Sequence, residues 1–418
     1  MFKGYFYVDP YYMYQRRNNN FHSSKPSFSS RGGNSGRTFQ RSNPRPNRSF
    51  GQKIDVRKFT NNAVITEQVE HFRPEHAFND FLIDERIKTA ITKKGYTVPT
   101  PIQDKIIPHI LRRSDVVGVA NTGTGKTGAF LIPLINKVLG NAQERVIIIV
   151  PTRELAIQID EELRSLTPGM RIFSVCAVGG APIGRQIGDL RHPHNFIIGT
   201  PGRLKDLIQR KNINLATFKT LVLDEADRML DMGFINDMKY VMSLMPKDRH
   251  TLFFSATIST DIEKLIKDFL KEPVRISVKT QDTSKNVEQS VLKVTNKSAK
   301  LDMLHDLLSK DEFSKVLVFG RTKHGVEKLS KLLASRGFKA ESIHGNKTHG
   351  RRQQALKLFK DNKIKILVAT DVAARGLDIS DISHVINYDV PATYDDYVHR
   401  IGRTGRGEKR GKAVTFVE

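Results

Sequence analysis

Acidic residues are scarce in this chain: 44 aspartates and glutamates face 68 lysines and arginines over 418 residues, a formal charge of +24. A surplus of that size attracts polyanions and releases counterions on binding them, so nucleic acid is the first expected partner. Cysteine is scarcer still. The single thiol, Cys176, excludes an internal disulfide and any cysteine-based zinc cluster. Its apolar setting in residues 173–178 reads as a buried strand thiol in a reducing compartment. Long hydrophobic runs are missing too: stretches such as 146–150 are far too short to span a bilayer, and the first residues lack a signal-peptide core. No basic amphipathic helix beside an apolar anchor suggests a membrane surface. The expectation is a cytoplasmic, monomeric protein without a membrane partner, its 39% apolar content sufficient for two or three ordinary domains.

Residues 1–70 read as a disordered basic tail. Its first 60 residues are poor in aliphatics, and twelve basic residues against Asp9 and Asp55 supply +10 of the total charge. Phe21, Phe28, Phe39 and Phe50 punctuate the basic tract, and five tyrosines crowd residues 5–14. Aromatics interleaved with arginine can stack on bases while the cations follow phosphates. A purely solubilising tail is the alternative.

Beyond the tail, apolar runs alternate with helical periodicity. Strands are expected at 116–119, 145–150, 173–178, 196–199, 220–223 and 251–254, and Leu155, Ile159 and Leu163 recur every four residues on a helix that Thr152 can cap. A polar stretch, set at 279–290, reads as a linker between a first domain, 71–278, and a second, 291–418. The second repeats the alternation, with strands at 315–319, 365–369 and 384–387 and a closing strand at 412–418. Such alternation implies an α/β protein with parallel sheets covered by helices.

Residues 120–127, Ala-Asn-Thr-Gly-Thr-Gly-Lys-Thr, follow an expected strand and precede an apolar helix, the order a phosphate-binding loop requires. Thr122, Gly123, Thr124 and Gly125 let backbone N–H groups approach phosphate, Lys126 can reach the β and γ phosphates of ATP, and the Thr127 hydroxyl can ligate Mg²⁺. A second acidic site lies downstream. Asp224-Glu225-Ala226-Asp227 follows the strand 220–223, where α/β folds place ligands. Asp224 suits the Mg²⁺, and Glu225 can take a proton from an attacking water. Upstream, Tyr96 offers a stacking face and Gln103 an amide that matches the edge of adenine, with Phe78 seventeen residues before Gly95.

Further pieces follow in order: Pro151-Thr152-Arg153-Glu154, Gly179-Gly180, Thr200-Pro201-Gly202-Arg203, Ser255-Ala256-Thr257, Ala369-Thr370-Asp371 through Asp378, and His399-Arg400-Ile401-Gly402-Arg403-Thr404-Gly405-Arg406. The series closely resembles the DEAD-box RNA helicases of superfamily 2, over roughly residues 75–418. The resemblance implies two tandem RecA-like domains. It also implies that Phe78, Tyr96 and Gln103 hold adenine, that Glu225 is the catalytic base, and that Gly376 and Asp378 close the site near the ribose. Arg403 and Arg406, three apart and on one face if helical, become arginine fingers from the second domain. RNA contacts fall on Pro151, Thr152, Arg153, Gly180, Thr200, Gly202 and Arg203, and on Arg321, Thr322, Gly345 and Thr370, through phosphate and sugar rather than bases. Asp227, Ser255, Thr257 and His399 would couple the nucleotide site to RNA.

The chain departs from the family at Asn121, Asn346 and His349, none of which removes a catalytic group, and it stops after a last strand, so the second domain is either minimal or cut short. The wording resembles bacterial members active in ribosome assembly and RNA turnover, so ribosomal or degradation-complex ribonucleoproteins are candidate partners. An ATP-gated RNA clamp and a DNA-dependent helicase are the rival readings. Removing residues 1–60 should weaken RNA affinity and flatten its dependence on salt, checked by titrating RNA at several salt concentrations; an unchanged slope would leave the tail a solubiliser.

Overall fold

The computed structural model describes residues 72–121, 123–278, 287–374, 379, 381–405 and 411–417. The tail therefore lies outside the described residues, as do Thr122, most of the linker, Gly376, Asp378 and Arg406. Two sheets organise the rest. The first has seven strands, β1 (Val116–Ala120), β2 (Val146–Ile149), β3 (Ser174–Ala177), β4 (Phe196–Gly199), β5 (Thr220–Leu223), β6 (His250–Ser255) and β7 (Val274–Val278), in the order β3-β4-β2-β5-β6-β1-β7. The second has six, β8 (Val287–Lys293), β9 (Val316–Phe319), β10 (Ala340–Ile343), β11 (Ile366–Ala369), β12 (His384–Asn387) and β13 (Gly411–Val417), in the order β10-β11-β9-β12-β13-β8. Every recorded pairing is parallel. The α/β expectation with two covered parallel sheets holds.

The apolar runs form strands because both faces of each sheet are buried. Successive side chains point to opposite faces, so Val146 and Ile148 enter one core while Ile147 and Ile149 enter another. In the second sheet Val316 and Val318 divide in the same way from Leu317 and Phe319. Cys176 lies on β3 as expected, half-buried rather than fully buried, and burial pushes its thiol up to about 12.

Strands β7, β8 and β10 escape the periodicity reading. Strand β7 pairs only with β1 at the edge of its sheet, β10 reads Ala-Glu-Ser-Ile, and β8 begins at Val287, inside the stretch read as linker. Pairing with a neighbour, rather than an apolar run of their own, makes them strands.

Two buried histidines give the fold a pH dependence. Burial takes the His250 imidazole down to about 4, with Lys137 adding to the effect, and burial takes His384, stacked on Phe313, down to about 4. Both are neutral in the fold at neutral pH and accept protons near pH 6.5 once unfolded, so the stability they confer is lost as pH falls from about 6.5 towards 4. Asp224, raised to about 6, acts in the opposite sense over part of that window, and the two histidines outweigh it. The thermal midpoint should fall between pH 7 and 5, and His384→Gln should flatten that slope; a variant with the wild-type slope would exclude His384 as a source.

Candidate nucleotide and RNA site

In a parallel sheet all carboxyl ends face one edge, and the order of strands decides which loops become neighbours. Strands β5, β6 and β1 lie side by side, so Asp224, Ser255 and the loop 120–127 meet at one half of that edge. Strands β2, β4 and β3 carry Pro151, Thr200 and Gly179-Gly180 to the other half. The second sheet sets β10, β11 and β9 together, bringing Gly345, Thr370 and Arg321 to one stretch of its edge.

The phosphate loop closes on Gly125, which caps the helix Lys126–Gly140 with φ of 92°. A side chain there would be strained, and its Cβ would stand 2.7 Å from Thr100 Oγ1 and 2.9 Å from Gln103 Nε2. Gln103 is buried and ties the loop to its own helix: Nε2 donates to the Gly125 carbonyl at 3.1 Å, and Oε1 accepts from Thr100 N–H at 2.9 Å. Its second N–H and second lone pair are what it can offer a base. Phe78 is buried and stacks on Tyr96 at 6.2 Å. Lys126 is buried as well and donates to the Ala120 carbonyl at 2.7 Å.

The Asp224 carboxylate, 2% exposed, accepts the Glu225 N–H at 2.9 Å. Burial raises its pKa to about 6, against the pull of the Lys126 ammonium. A buried carboxylate bonded to a single backbone N–H, close enough to the Lys126 ammonium at the start of the helix that carries Thr127 to feel its charge, fits a hard cation that keeps water and phosphate ligands. Glu225 holds φ of 52°, a left-handed conformation uncommon for a long side chain. Its Oε2 pairs with Arg228 Nη1 at 2.8 Å, both residues being buried. Asp227 gathers residues 255–257: its Oδ2 accepts Ala256 N–H and Thr257 N–H at 3.0 Å each and the Thr257 hydroxyl at 3.2 Å, while its own N–H donates to Ser255 Oγ.

On the other half of the edge, Thr152 Oγ1 caps the helix Arg153–Leu166. The Arg153 guanidinium lies over Gly180, whose φ of 77° and lack of a side chain make room for it. Arg203 donates to the Ala181 carbonyl and to Gln186 Oε1, fixing the loop after Gly180. Gly202, Gly345 and Thr322 are exposed, Thr200 is half-buried, and Thr370 and Pro151 are buried. Thr322 caps the helix Lys323–Ser335.

In the second lobe the helix Tyr394–Ile401 ends before Gly402, so Arg403 lies in the following turn rather than on a helix face. The condition for a helical face is therefore not met at Arg403, and Arg406 lies outside the described residues. Arg403 is buried and lines a cleft with Phe319, Asp371, His399 and Arg400. Arg400 braces that cleft: it is bidentate to Asp371 at 2.5 and 2.8 Å and donates to Asn387 and to the Asp389 carbonyl. The Asp389 carboxylate accepts the Arg321 N–H at 2.7 Å, which joins the cleft to the segment expected on RNA.

The lobes meet through a pair not anticipated from sequence. Arg352 Nη2 stands 2.6 Å from Glu154 Oε1, with side chains 9% and 2% exposed. Glu154 follows the expected RNA contact Arg153; the helix His349–Lys360, which carries Arg352, begins at one of the family departures.

Residues 100–265 match the DEAD/DEAH box helicase family, and residues 299–408 match the helicase conserved C-terminal domain. The chain belongs to the DEAD-box family of ATP-dependent RNA helicases. It is 46% identical over 343 residues to the ATP-dependent RNA helicase CshA of Listeria monocytogenes, covering 82% of this chain and 66% of that protein. With the DEAD-box ATP-dependent RNA helicase CshA of Bacillus subtilis it shares 46% over 342 residues, 81% of this chain and 69% of that one. The chain thus spans about two thirds of these relatives' length. Among solved structures, Mss116 bound to single-stranded RNA and UDP-BeF matches with a TM-score of 0.74 at 30% identity, over 81% of this chain and 74% of that one. Dbp5 of S. cerevisiae bound to RNA and ADP BeF3 matches with a TM-score of 0.73 at 29% identity, over 82% and 89%. Agreement across four-fifths of this helicase takes in both RecA-like lobes at once. Among the described residues no helix is long and apolar enough to cross a membrane.

Removing one partner of the inter-lobe pair leaves a buried charge uncompensated. Arg352→Ala should shift the lobes towards separation by about tenfold or more, read as a fluorescence distance between labelled lobes, and adding Glu154→Gln should recover part of the loss. Wild-type distances in Arg352→Ala would rule the pair out as a determinant.

Proposed function

We propose that the chain hydrolyses ATP under RNA control, closing its two lobes on single-stranded RNA and prying apart short duplexes or ribonucleoprotein contacts. The observation that carries the reading is the division of one sheet edge: nucleotide chemistry at β5, β6 and β1, phosphate-contacting groups at β2, β4 and β3, and the Asp227 network at the junction between β5 and β6. The likeness to Dbp5 and Mss116, each bound to RNA and a nucleotide, supports a closed arrangement as the RNA-holding state.

Each residue then has a task its surroundings support. Lys126 exchanges the Ala120 carbonyl for β and γ phosphate oxygens, and Gly123, Thr124 and Gly125 offer N–H groups to the same phosphates. Thr127 and Asp224 would hold Mg²⁺, which supplies charge neutralisation on the phosphates when bound. Arg228 keeps the Glu225 carboxylate oriented through Oε2, so Oε1 is the oxygen that takes the proton of the attacking water. Arg403, permanently charged and set by the Arg400 brace, meets the charge that builds on the transferring phosphoryl group, with Arg406 as its companion. Pro151, Thr152, Arg153, Gly180, Thr200, Gly202 and Arg203 in one lobe, and Arg321, Thr322, Gly345 and Thr370 in the other, follow the RNA backbone without reading its bases. The helix Pro201–Gln209 is the wedge that bends one strand. Asp227, Ser255 and Thr257 report nucleotide state to that face, with His399 acting from the second lobe. We place the enzyme in the cytoplasm as a monomer, with ribosomal or degradation-complex ribonucleoproteins as candidate partners.

A strand-displacement assay on a short RNA duplex, run beside an RNA-stimulated ATPase assay, tests the reading; ATPase without displacement would leave a clamp. Lys126→Ala should raise the KM for ATP, Glu225→Gln should keep ATP-dependent RNA binding but stop turnover, and Arg403→Ala should lower kcat by roughly three orders of magnitude. Wild-type turnover in Glu225→Gln would remove it as the base.

A further inference from the structure

Tyr96 does more than stack. Its ring packs on Phe78 at 6.2 Å, and its hydroxyl donates to Glu162 Oε1 at 2.6 Å across 66 residues of chain. Glu162 is in turn paired with Lys94, whose ammonium also donates to Ser165 Oγ at 2.6 Å. On the other side, a Cβ added at Gly128 would stand 3.7 Å from Tyr96 Cε2 and 2.8 Å from Gln103 Nε2. The ring is therefore set between the first turn of the phosphate-loop helix and a carboxylate of the helix Arg153–Leu166.

We propose that Glu162 is a positioning residue for the nucleotide base: by holding the Tyr96 hydroxyl it fixes the stacking ring and joins base occupancy to the helix that carries Glu154. The inference rests on the reading of Tyr96 as the adenine platform. A phenol bonded to an ionised carboxylate makes a short, charge-assisted bond, which limits where the ring can stand. Lys94 keeps that carboxylate in place from the third side. Glu154 lies eight residues before Glu162 on the same helix, so the carboxylate that holds Tyr96 and the inter-lobe pair are about 12 Å apart along its axis. A ring displaced by loss of the hydroxyl bond would weaken base stacking at one end and free the helix from the nucleotide site.

The test uses the full chain and RNA-stimulated ATPase kinetics with Tyr96→Phe, Glu162→Ala, the double variant and Glu162→Gln. Tyr96→Phe and Glu162→Ala should each raise the KM for ATP about fivefold with kcat within about twofold. The double variant should be no worse than the larger single effect, and Glu162→Gln, which keeps an acceptor oxygen, should fall between Glu162→Ala and wild type. For ribose 5-triphosphate, which lacks a base, KM should not move. The RNA concentration that half-saturates the ATPase should rise alongside the KM for ATP. An unchanged KM in Tyr96→Phe, effects that multiply in the double variant, or an equal rise for ribose 5-triphosphate would overturn the positioning role, and unchanged RNA half-saturation would sever the link to the helix. A wild-type chain whose ATPase ignores RNA would instead overturn the functional reading on which the proposal rests.

Discussion

Parallel strand pairing is the constraint from which the rest of this molecule follows. Adjacent parallel strands cannot be joined by a tight turn, so the chain returns through helices, and every strand delivers its following loop to the same edge of the sheet. With seven such strands in one lobe, the loops after β1, β5 and β6 are forced together, and those after β2, β4 and β3 are forced together beside them. The loop 120–127, a pair of acidic residues and the small residues 255–257, up to 137 residues apart in the chain, become one surface. The backbone ladder sets the positions; the side chains supply the chemistry.

That surface is built from charges buried at a cost. Asp224, Glu225, Asp227, Arg228 and Lys126 are all withdrawn from water within a short reach of the β5 carboxyl end. Each is compensated by a specific partner: Arg228 for Glu225, three donors from 256–257 for one Asp227 oxygen, a loop carbonyl for Lys126. Asp224 keeps the least, a single backbone N–H, and its carboxyl is raised accordingly. The second lobe repeats the device around Arg400, whose fork is divided among Asp371, Asn387 and the Asp389 carbonyl. Such networks hold side chains to one geometry.

Where the lobes touch, the Glu154–Arg352 pair depends on both at once. Its carboxylate belongs to the helix whose first residue lies over Gly180 and whose later turns hold Tyr96. One helix thus carries the contact to Tyr96, the residue that lies over Gly180 and the pair to the partner lobe.

Much of this was legible from residue order, and the reason is chemical. The phosphate loop needs its glycines, lysine and threonine within eight consecutive positions, and Asp224-Glu225 needs only to follow a strand, so both show as short local strings. The two-sided burial of parallel strands shows as runs such as 146–150. Strands β7, β8 and β10 carry no apolar run: β7 is a strict alternation, Val-Arg-Ile-Ser-Val, on a half-buried edge, and β8 and β10 mix polar with apolar residues. The stretch before Arg403 is helical only as far as Ile401, since Gly402 and Gly405 favour a turn there, so the condition for a helical face is not met at Arg403.

By itself the sequence determined the family, through an ordered series of short motifs, and the two parallel sheets and the inventory of reactive groups, because each motif is a local string and each strand shows as periodicity along one segment. Only the tertiary structure decided who holds whom: Gln103 on the Gly125 carbonyl, Arg228 on Glu225, Glu162 on Tyr96, Arg352 on Glu154. Apart from the Glu225–Arg228 pair, these contacts join residues 22 to 198 positions apart. Most buried donors find an acceptor, but which one they find is set by how the strands are ordered, and no local pattern carries that order.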